Sequence, residues 1–492
     1  MAKFCTILFL SWLMIGPTFA QSLKYRQAVQ AKLKEYAKAE GLQAATWSFG
    51  LWDVQTGEVV ATIRPNVLMT PASTLKAFTT AAMLDRYGPE YRYATKLVRY
   101  PDCIALLGSG DPSLGSEYQD VAGATIIKGW AQKVADANLG QDKPYLIADL
   151  DAFEQNLPDS YTWGDMGNYY GAGPRAINWE DNTTKLEFKI GQLGDLATLK
   201  SVSPKPYNEV DWRSSVTYAK PGSGDNAYVY GLSHDKVRVL NGTIPAGGKS
   251  GFVIKAAMPE PELVVLSQLQ KALEDRQVKT EPNIHTTSVW SRSYKPMPVG
   301  AKPTKVLDTY LSPPLSELVA KTNQESLNHF ADAFLLKLGM PKEATIQNSP
   351  ATIKSGLDAL SAFAGTMGVD KSHFFVQDGS GLSPANCITA QAFGTFLLAA
   401  TKRKWFRDFD ASLAVAGRSG TMKDQCIGTA AMGNLHVKTG SLTRVQNFVG
   451  YYTGKDKRTY AVVLMVNRYT TTYGAMRRLS TRLLSDLTEI PN

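Results

Sequence analysis

The pattern of apolar and polar positions divides the chain into three parts, and the first part combines helices with a hairpin. Apolar residues at helical spacing predict a helix over residues 23–40. Two β-like runs, at residues 46–52 and 58–63, flank a turn and predict a β-hairpin. After Pro71 the helical spacing returns, which predicts a second helix that starts close to Ser73.

The second part, residues 93–300, changes to short β-like runs, many aromatic residues and loops rich in glycine and proline. Helical spacing within it is confined to residues 126–137 and 260–276. A stretch of about two hundred residues is long enough for one or two inserted β-rich domains. We therefore predict two or three domains for the 492-residue chain.

The third part returns to helices and ends in strands. The predicted helices span residues 315–321, 327–338, 351–365 and 389–398. The predicted strands span residues 436–442, 447–452 and 460–466. A hairpin turn joins the last two strands, which favours an antiparallel sheet. Residues 476–487 form an amphipathic helix with arginines away from its apolar face, and we expect it to pack on the sheet, with docking on a membrane as the alternative.

The N-terminus has the pattern of a cleavable export signal. Lys3 precedes an apolar run, and small residues end in Ala20, after which we expect cleavage. Cys5 lies at the start of the apolar run, where a lipoprotein cysteine is not expected, so a lipid anchor is disfavoured. No later stretch has the apolar length of a membrane span. We therefore expect a soluble protein that is exported to the periplasm.

Composition and charge narrow the class of partner. With 44% hydrophobic and 20% charged residues the chain is typical of a globular protein rather than a disordered one. Loss of Lys3 with the signal lowers the formal charge from +9 to +8, which suits a nearby anionic polymer or membrane surface without identifying it. Nucleic acid is not an expected partner, because no dense basic run is interleaved with aromatic residues.

Cysteine and histidine positions argue against a metal site. After signal removal three cysteines remain, and we expect Cys387 to pair with Cys426 rather than either with Cys103. The chain has no C-x-x-C spacing and only five scattered histidines, which is unlike a zinc site. We expect neither a metal nor an organic cofactor.

The strongest candidate chemistry is an S-x-x-K pair, Ser73 and Lys76, at the start of the second predicted helix. Residues three apart share one helix face, so the lysine can lie against the serine hydroxyl. A lysine that is desolvated, or close to a second cation, has a lowered pKa and can take the serine proton. An ordinary helix start is the alternative. A second copy, Ser233 to Lys236, has no helix-start context and a charged interior, and we discount it.

Two further short motifs lie far along the chain. Ser326 and Asn328 form the only S-x-N triplet, at a junction between two predicted helices, where a helix cap is the alternative reading. Lys438, Thr439 and Gly440 form a K-T-G triplet in a predicted strand.

Two similar patterns in the middle part are rejected. Residues 247–250 look like the end of a phosphate-binding loop, but Thr243 stands where that motif needs glycine. The overlapping K-S-G triplet at 249–251 lies inside the predicted insertion and has no long apolar hairpin after it.

S-x-x-K, S-x-N and K-T-G, in this order, resemble the three active-site motifs of penicillin-binding proteins and serine β-lactamases. The long gap between Lys76 and Ser326 is similar to that of the low-molecular-mass class C penicillin-binding proteins, the D-alanyl-D-alanine carboxypeptidase/endopeptidase family (serine peptidase family S13). The resemblance covers essentially the whole mature chain. Supporting stretches lie at residues 107–114, 163–166, 378–383 and 438–442.

The resemblance implies an α+β fold: a β-lactamase/transpeptidase-like domain, with an antiparallel sheet flanked by helices, that carries inserted β-rich domains. The implied division is a signal peptide at 1–20, a catalytic domain at 21–95 and 300–492, and an insertion at 96–299 that is expected to form two domains. It implies peptidoglycan stem peptides as substrates and β-lactam antibiotics as covalent inhibitors. Monomer and homodimer stay open.

The resemblance also implies residue roles. Ser73 is expected to be the nucleophile, Lys76 its base, Ser326 a proton relay to the leaving amine, and Asn328 a holder of the substrate amide. Lys438 and Thr439 are expected to bind the substrate carboxylate, and Lys438 to help keep Lys76 neutral.

The remaining implied residues bind substrate. Gly440 belongs to the K-T-G strand, and the backbone N–H groups of Ser73 and Ser441 are expected to form the oxyanion hole. Asp165 is expected to contact the amino group of the diamino acid in the peptide, with a loop carboxylate that caps backbone N–H groups as the alternative.

The expected activity is that of a serine D,D-peptidase that cleaves D-alanyl-D-alanine, D-alanyl cross-links, or both. A β-lactamase or esterase on the same scaffold is the enzymatic alternative. A non-catalytic cell-wall binding protein is the alternative from another class, and the intact lysine-activated serine argues against it.

Overall fold

The computed structural model describes residues 16–137, 143–232, 235–248, 250–287, 303–341 and 350–491. Most of the predicted export signal lies outside these residues. So do Ser233 of the second S-x-x-K copy and Lys249 of the rejected K-S-G triplet.

Eleven helices lie in the described residues. In chain order they are α1 (Gly16–Ala37), α2 (Lys76–Tyr87), α3 (Gly123–Asp136), α4 (Trp163–Met166), α5 (Pro261–Glu274), α6 (Leu315–Gln324), α7 (Asn328–Gly339), α8 (Ile353–Thr366), α9 (Ala390–Ala400), α10 (Phe406–Ser412) and α11 (Tyr473–Glu489).

Twenty strands lie in the same residues. In chain order they are β1 (Thr46–Asp53), β2 (Val59–Ile63), β3 (Ala94–Arg99), β4 (Cys103–Leu107), β5 (Tyr145–Asp149), β6 (Thr183–Phe188), β7 (Leu199–Ser203), β8 (Asp211–Ser214), β9 (Thr217–Ala219), β10 (Asn226–Tyr230), β11 (Val237–Pro245), β12 (Phe252–Ala257), β13 (Ile284–Thr286), β14 (Lys305–Leu311), β15 (Phe374–Phe375), β16 (Cys387–Ile388), β17 (Ala414–Val415), β18 (Leu435–Leu442), β19 (Val445–Thr453) and β20 (Thr459–Asn467).

The largest sheet is antiparallel and has six strands in the order β17-β18-β19-β20-β1-β2. Its central strands are apolar on both faces because helices cover both. Val462 and Leu464 face a cluster shared with α1 and α11, whereas Val463 and Met465 face a cluster shared with α2 and α6–α10. The N-terminal hairpin joins the sheet through β1, which pairs with β20 from Thr46–Asn467 to Asp53–Tyr460. The first and last strands of the chain thus belong to one sheet, which we call the main sheet.

The C-terminal helix α11 packs on the main sheet as expected. Met476, Leu483 and Leu487 are buried in the cluster that includes α1, so the apolar face considered for membrane docking is covered by protein. Among the described residues, no helix combines the length and the apolar character that a bilayer span requires.

Residues 94–311, which we call the insertion, lie between the two segments that form the main sheet and its helices. We call those two segments together the main part. The insertion forms two units. The first unit is a five-stranded sheet, β13-β5-β4-β3-β14, whose buried residues pack with α3 and α5. Strand β14 pairs with β3, so the sheet joins the points where the chain leaves and re-enters the main part. The second unit encloses a small core between the sheets β12-β6-β7 and β10-β11-β8, with β9 beside β11. The first unit therefore combines a sheet with α3 and α5, which match the helical spacing at residues 126–137 and 260–276.

The predicted Cys387–Cys426 disulfide is wrong. Both residues are thiols in the structure. Cys387 lies in β16, beside the cluster under α2 and α9, whereas Cys426 packs against the cluster on the opposite face of the main sheet. The sheet separates the two sulfur atoms, so they cannot approach bonding distance.

Candidate active site

Ser73 lies on a single helical turn, Ala72–Leu75, immediately before α2, and its side chain is half-buried. Two hydrogen bonds fix this turn to the main sheet. The Asn447 side chain on β19 donates to the carbonyls of Thr70 (2.9 Å) and Pro71 (2.8 Å). The serine is therefore fixed on a rigid element while its hydroxyl stays accessible.

Strand β18 passes close to this turn because one of its positions has no side chain. A Cβ atom at Gly440 would lie 2.6 Å from the Pro71 oxygen, 2.9 Å from the Thr74 nitrogen and 3.1 Å from the Ser73 nitrogen. Any larger residue would push the strand away from the serine. This explains the glycine of the K-T-G triplet in steric terms.

Lys76, one turn after Ser73, is fully buried and points into a set of three oxygen atoms. Its Nζ donates to Ser73 Oγ (2.9 Å), to Asn328 Oδ1 (2.6 Å) and to the Ser380 carbonyl (2.6 Å). Two of these partners are carbonyl oxygens, which only accept hydrogen bonds. Three donated hydrogen bonds fit the ammonium form. After loss of one proton, the two remaining hydrogens serve both carbonyls, and the lone pair is left for the serine hydroxyl.

The environment of Lys76 makes this neutral form accessible near neutral pH, because it lowers the pKa of the ammonium to about 8. Burial lowers the pKa of the ammonium well below its usual range, while the carboxylates of Asp332 and Asp378 act in the opposite direction. The balance leaves a base that can exchange a proton near neutral pH.

Lys438 and Ser326 form the second pair. The Lys438 Nζ donates to Ser326 Oγ and to the Thr439 carbonyl, both at 2.9 Å. The pKa of Lys438 lies well below its usual value; burial is the larger cause and repulsion from Lys76 the smaller one. Ser326 has a φ of 60°, at the junction where α6 ends and α7 begins, and this left-handed backbone places its side chain beside β18.

Asn328 links the main part to the insertion. Its oxygen accepts from Lys76, and its Nδ2 donates to the Tyr170 carbonyl at 2.9 Å. This contact fixes the amide orientation. Thr439 lies on the opposite side of the site and donates to the Thr421 hydroxyl at 2.8 Å. The structure thus brings Ser73, Lys76, Ser326, Asn328, Lys438, Thr439 and Gly440 together.

Ser441 and Asp165 are less closely tied to this group. Ser441 follows Gly440 on β18 and is half-buried. Asp165 lies in α4, in the segment that continues to Tyr170, and accepts a hydrogen bond from the Thr162 hydroxyl at 2.5 Å. This partner is a side-chain hydroxyl rather than the backbone N–H groups of the alternative reading.

The loop at residues 378–383 supplies a contact to which the sequence assigned no role. Its Ser380 carbonyl is one of the three acceptors of Lys76. Asp378 shapes the loop by accepting from the backbone N–H groups of Gly381 (2.7 Å) and Ser383 (2.6 Å). Its turn-rich composition marked it as a loop, but a backbone carbonyl acceptor has no signature in residue type.

No group of histidine, cysteine or carboxylate side chains within the described ranges could hold a metal ion. The chemistry of the cluster is that of a serine with a lysine base and a second lysine nearby.

A family model described as the D-Ala-D-Ala carboxypeptidase 3 (S13) family matches residues 29–482. The chain belongs to this family. It is accordingly a serine-type D-Ala-D-Ala carboxypeptidase. The matched range contains all three motifs and the whole insertion.

Two relatives have low sequence identity to this chain but match it over most of its length. A D-alanyl-D-alanine carboxypeptidase of Actinomadura sp. (strain R39) is 25% identical over 457 residues, which cover 89% of this chain and 80% of that protein. A penicillin-sensitive carboxypeptidase A of Dictyostelium discoideum is 26% identical over 411 residues, which cover 77% of this chain and 73% of that protein.

A solved structure with the same fold is penicillin binding protein 4 of Haemophilus influenzae. It superposes with a TM-score of 0.76 at 19% identity, over 93% of this chain and 99% of that one. The predicted α+β fold, with an antiparallel sheet flanked by helices, is confirmed.

Replacing Gly440 with alanine is expected to lower the rate of D-alanine release from a D-Ala-D-Ala peptide at least about tenfold, since small displacements of reacting groups are costly. The new methyl group collides with backbone atoms on both sides of Ser73. The matched control is Gly365→Ala in α8, where a Cβ meets nothing within 4 Å. Equal rates for the two variants would contradict the steric role of Gly440.

Proposed function

We propose that this S13-family chain is an exported, penicillin-sensitive serine D,D-peptidase that cleaves peptidoglycan stem peptides through an acyl-enzyme on Ser73. The observation that carries the proposal is the geometry of Lys76, whose Nζ contacts the Ser73 hydroxyl and two carbonyl oxygens. When the amine is neutral, the carbonyls take its two hydrogens, which leaves the lone pair for the Ser73 proton. This arrangement activates a serine without a histidine.

In the first step Ser73 Oγ attacks the carbonyl carbon of the penultimate D-alanine, and its proton passes to Lys76. The carbonyl oxygen becomes an oxyanion, which the backbone N–H groups of Ser73 and Ser441 stabilise. The close approach of β18 at Gly440 supports this pairing, because it brings the strand against the Ser73 amide.

In the second step the bond from carbon to the leaving nitrogen breaks, and the amine receives a proton. This is the proton that Lys76 took from Ser73, and its transfer leaves Lys76 neutral again. Ser326 relays it, since its hydroxyl accepts a hydrogen bond from Lys438 and can donate its own hydrogen to the amine as it receives another. Water then attacks the acyl carbon, and the neutral Lys76 takes a proton from the water. The bond from the acyl carbon to Ser73 Oγ breaks, and Lys76 returns the proton to Oγ, which regenerates the serine.

Four side chains select the substrate. Lys438 and Thr439 bind the terminal carboxylate, since a cation and a hydroxyl converge at that end of β18. Asn328 holds the substrate amide, as its orientation is fixed from both sides. Asp165 contacts the amino group of the diamino acid, from the loop that borders Asn328 through Tyr170.

A β-lactam ring offers the same site an amide that Ser73 can open. Two findings on relatives support penicillin sensitivity. The Dictyostelium relative is named penicillin-sensitive, and penicillin binding protein 4 of H. influenzae has been solved in complex with a novel β-lactam, a structure that superposes with a TM-score of 0.73. The predicted signal at residues 1–20 supports export to the periplasm, where peptidoglycan lies.

The test is the intact mass of the purified protein after brief exposure to benzylpenicillin, followed over time and mapped by peptide digestion. We expect one persistent adduct on the peptide that contains Ser73 and none on the peptide that contains Ser233, the serine of the other S-x-x-K copy. Release of D-alanine from a D-Ala-D-Ala peptide should be lost in step with adduct formation.

Other outcomes contradict the proposal. Rapid loss of the adduct with turnover of the drug indicates a β-lactamase. Absence of any adduct together with absence of D-alanine release indicates a cell-wall binding protein. An adduct on the Ser233 peptide would show that the nucleophile is wrong.

A further inference from the structure

One tyrosine of the insertion reaches into the buried surroundings of Lys76. The Tyr161 hydroxyl donates to Asp332 Oδ2 at 2.6 Å and lies 3.2 Å from Ser380 Oγ. The side chain is almost fully buried. Burial also raises the pKa of the phenol well above its usual value, so Tyr161 keeps its proton and remains a donor.

Asp332 connects Tyr161 to the backbone segment that contacts Lys76. Its second oxygen accepts from the Gly379 N–H at 2.9 Å, and the carbonyl of the following residue, Ser380, accepts from Lys76. The loop can lie this close to α7 only because Gly379 has no side chain: a Cβ there would lie 2.5 Å from the Ala331 oxygen. Four residues therefore link the insertion to the lysine through hydrogen bonds.

The same carboxylate also acts on Lys76 through its charge. Burial and repulsion from Asp378 raise the pKa of Asp332, and the hydrogen bond from Tyr161 counteracts both. Ionised Asp332 in turn favours the ammonium form of Lys76. The charged groups that act on Lys76 are Asp332 from α7 and Asp378 from the loop. The repulsion between Lys76 and Lys438 from β18 lowers the pKa of Lys438. Tyr161 is the donor that the insertion adds.

We propose that Tyr161 is a positioning residue of the active site: by donating to Asp332 it holds the Ser380 carbonyl against Lys76 and keeps a negative charge beside the lysine. The inference rests on the proposed role of Lys76 as the base. It assigns the insertion a direct part in proton transfer, because without Tyr161 the buried Asp332 loses its strongest partner.

The test is the rate at which benzylpenicillin acylates Tyr161→Phe, measured across the pH range in which the wild-type rate falls on acidification. The sign follows from the charges. Loss of the phenol raises the pKa of Asp332, the carboxylate becomes neutral at higher pH, and the pKa of Lys76 falls. The acidic limb of the profile is therefore expected to move to lower pH, and the plateau to fall several-fold because a weaker base remains.

A second variant keeps the test decisive if Tyr161→Phe folds poorly. Asp332→Asn removes the charge outright, and its acidic limb is expected to move in the same direction by about one pH unit. The control is Tyr218→Phe, which removes another buried phenol of the insertion, one that donates to the Lys189 carbonyl. Its pH profile should match that of the wild-type protein.

The outcomes separate this inference from the proposed function. A wild-type protein that forms no adduct at any pH overturns the proposed function itself. A normal wild-type profile with an unmoved acidic limb in Tyr161→Phe, whatever its plateau, overturns the positioning role, and so does a shift seen in Asp332→Asn alone.

Discussion

Lys76→Met is expected to reduce the rate of acylation by benzylpenicillin about a thousandfold, within the range that a positioned general base contributes. Methionine fills a similar volume but has no amine, so nothing takes the proton from Ser73. The carbonyl of Ser380 and the amide oxygen of Asn328 also lose their donor, and an unpartnered buried acceptor costs about 1–3 kcal/mol. The measurement is the second-order rate of adduct formation, with the melting temperature recorded alongside.

The matched control for this variant is Lys321→Met, since Lys321 lies exposed at the end of α6. It should be acylated at the wild-type rate. If a folded Lys76→Met protein is acylated as fast as the control, the base is another group, and the geometry around Lys76 has a different purpose. If Lys76→Met shows no cooperative melting transition, Lys76→Gln replaces it in the same assay.

The helices and the C-terminal strands could be predicted because their signals are local. Helical spacing located α6, α7 and α9 to within a few residues, and the three C-terminal strands emerged as β18, β19 and β20. The partner of β1 could not be predicted in this way. Its pairing with β20 joins the two ends of the chain, and no short window contains both strands.

The same distinction between local and long-range signals applies to the residues of the active site. The S-x-x-K, S-x-N and K-T-G motifs depend on residue type and spacing, so they are visible in a sequence. The contributions of Ser380, Tyr161 and Asn447 are not, because one acts through a backbone carbonyl and the other two act on residues far away in the chain. The wrong disulfide has the same cause: both cysteines lie in the C-terminal part, but the main sheet stands between them.

Lys438→Gln is expected to lower kcat/KM for a peptide that ends in D-Ala-D-Ala about a hundredfold, since a hydrogen bond to a charged group contributes about 1.5–3 kcal/mol. Glutamine can still donate to Ser326 but has no charge to offer the terminal carboxylate. Much of the loss should be specific to that carboxylate, so a peptide with an amidated C-terminus should lose far less.

The pH profile distinguishes this variant from Tyr161→Phe. The repulsion between the two lysines lowers the pKa of Lys438, whereas burial and the carboxylates of Asp332 and Asp378 set the pKa of Lys76. The acidic limb of Lys438→Gln is therefore expected to stay at its wild-type position, while that of Tyr161→Phe moves to lower pH. Lys423→Gln, a substitution of an exposed lysine near the site, is the control. A limb that moves in Tyr161→Phe and not in Lys438→Gln identifies Lys76 as the titrating group, whereas an equal shift in both variants would contradict its role as the base.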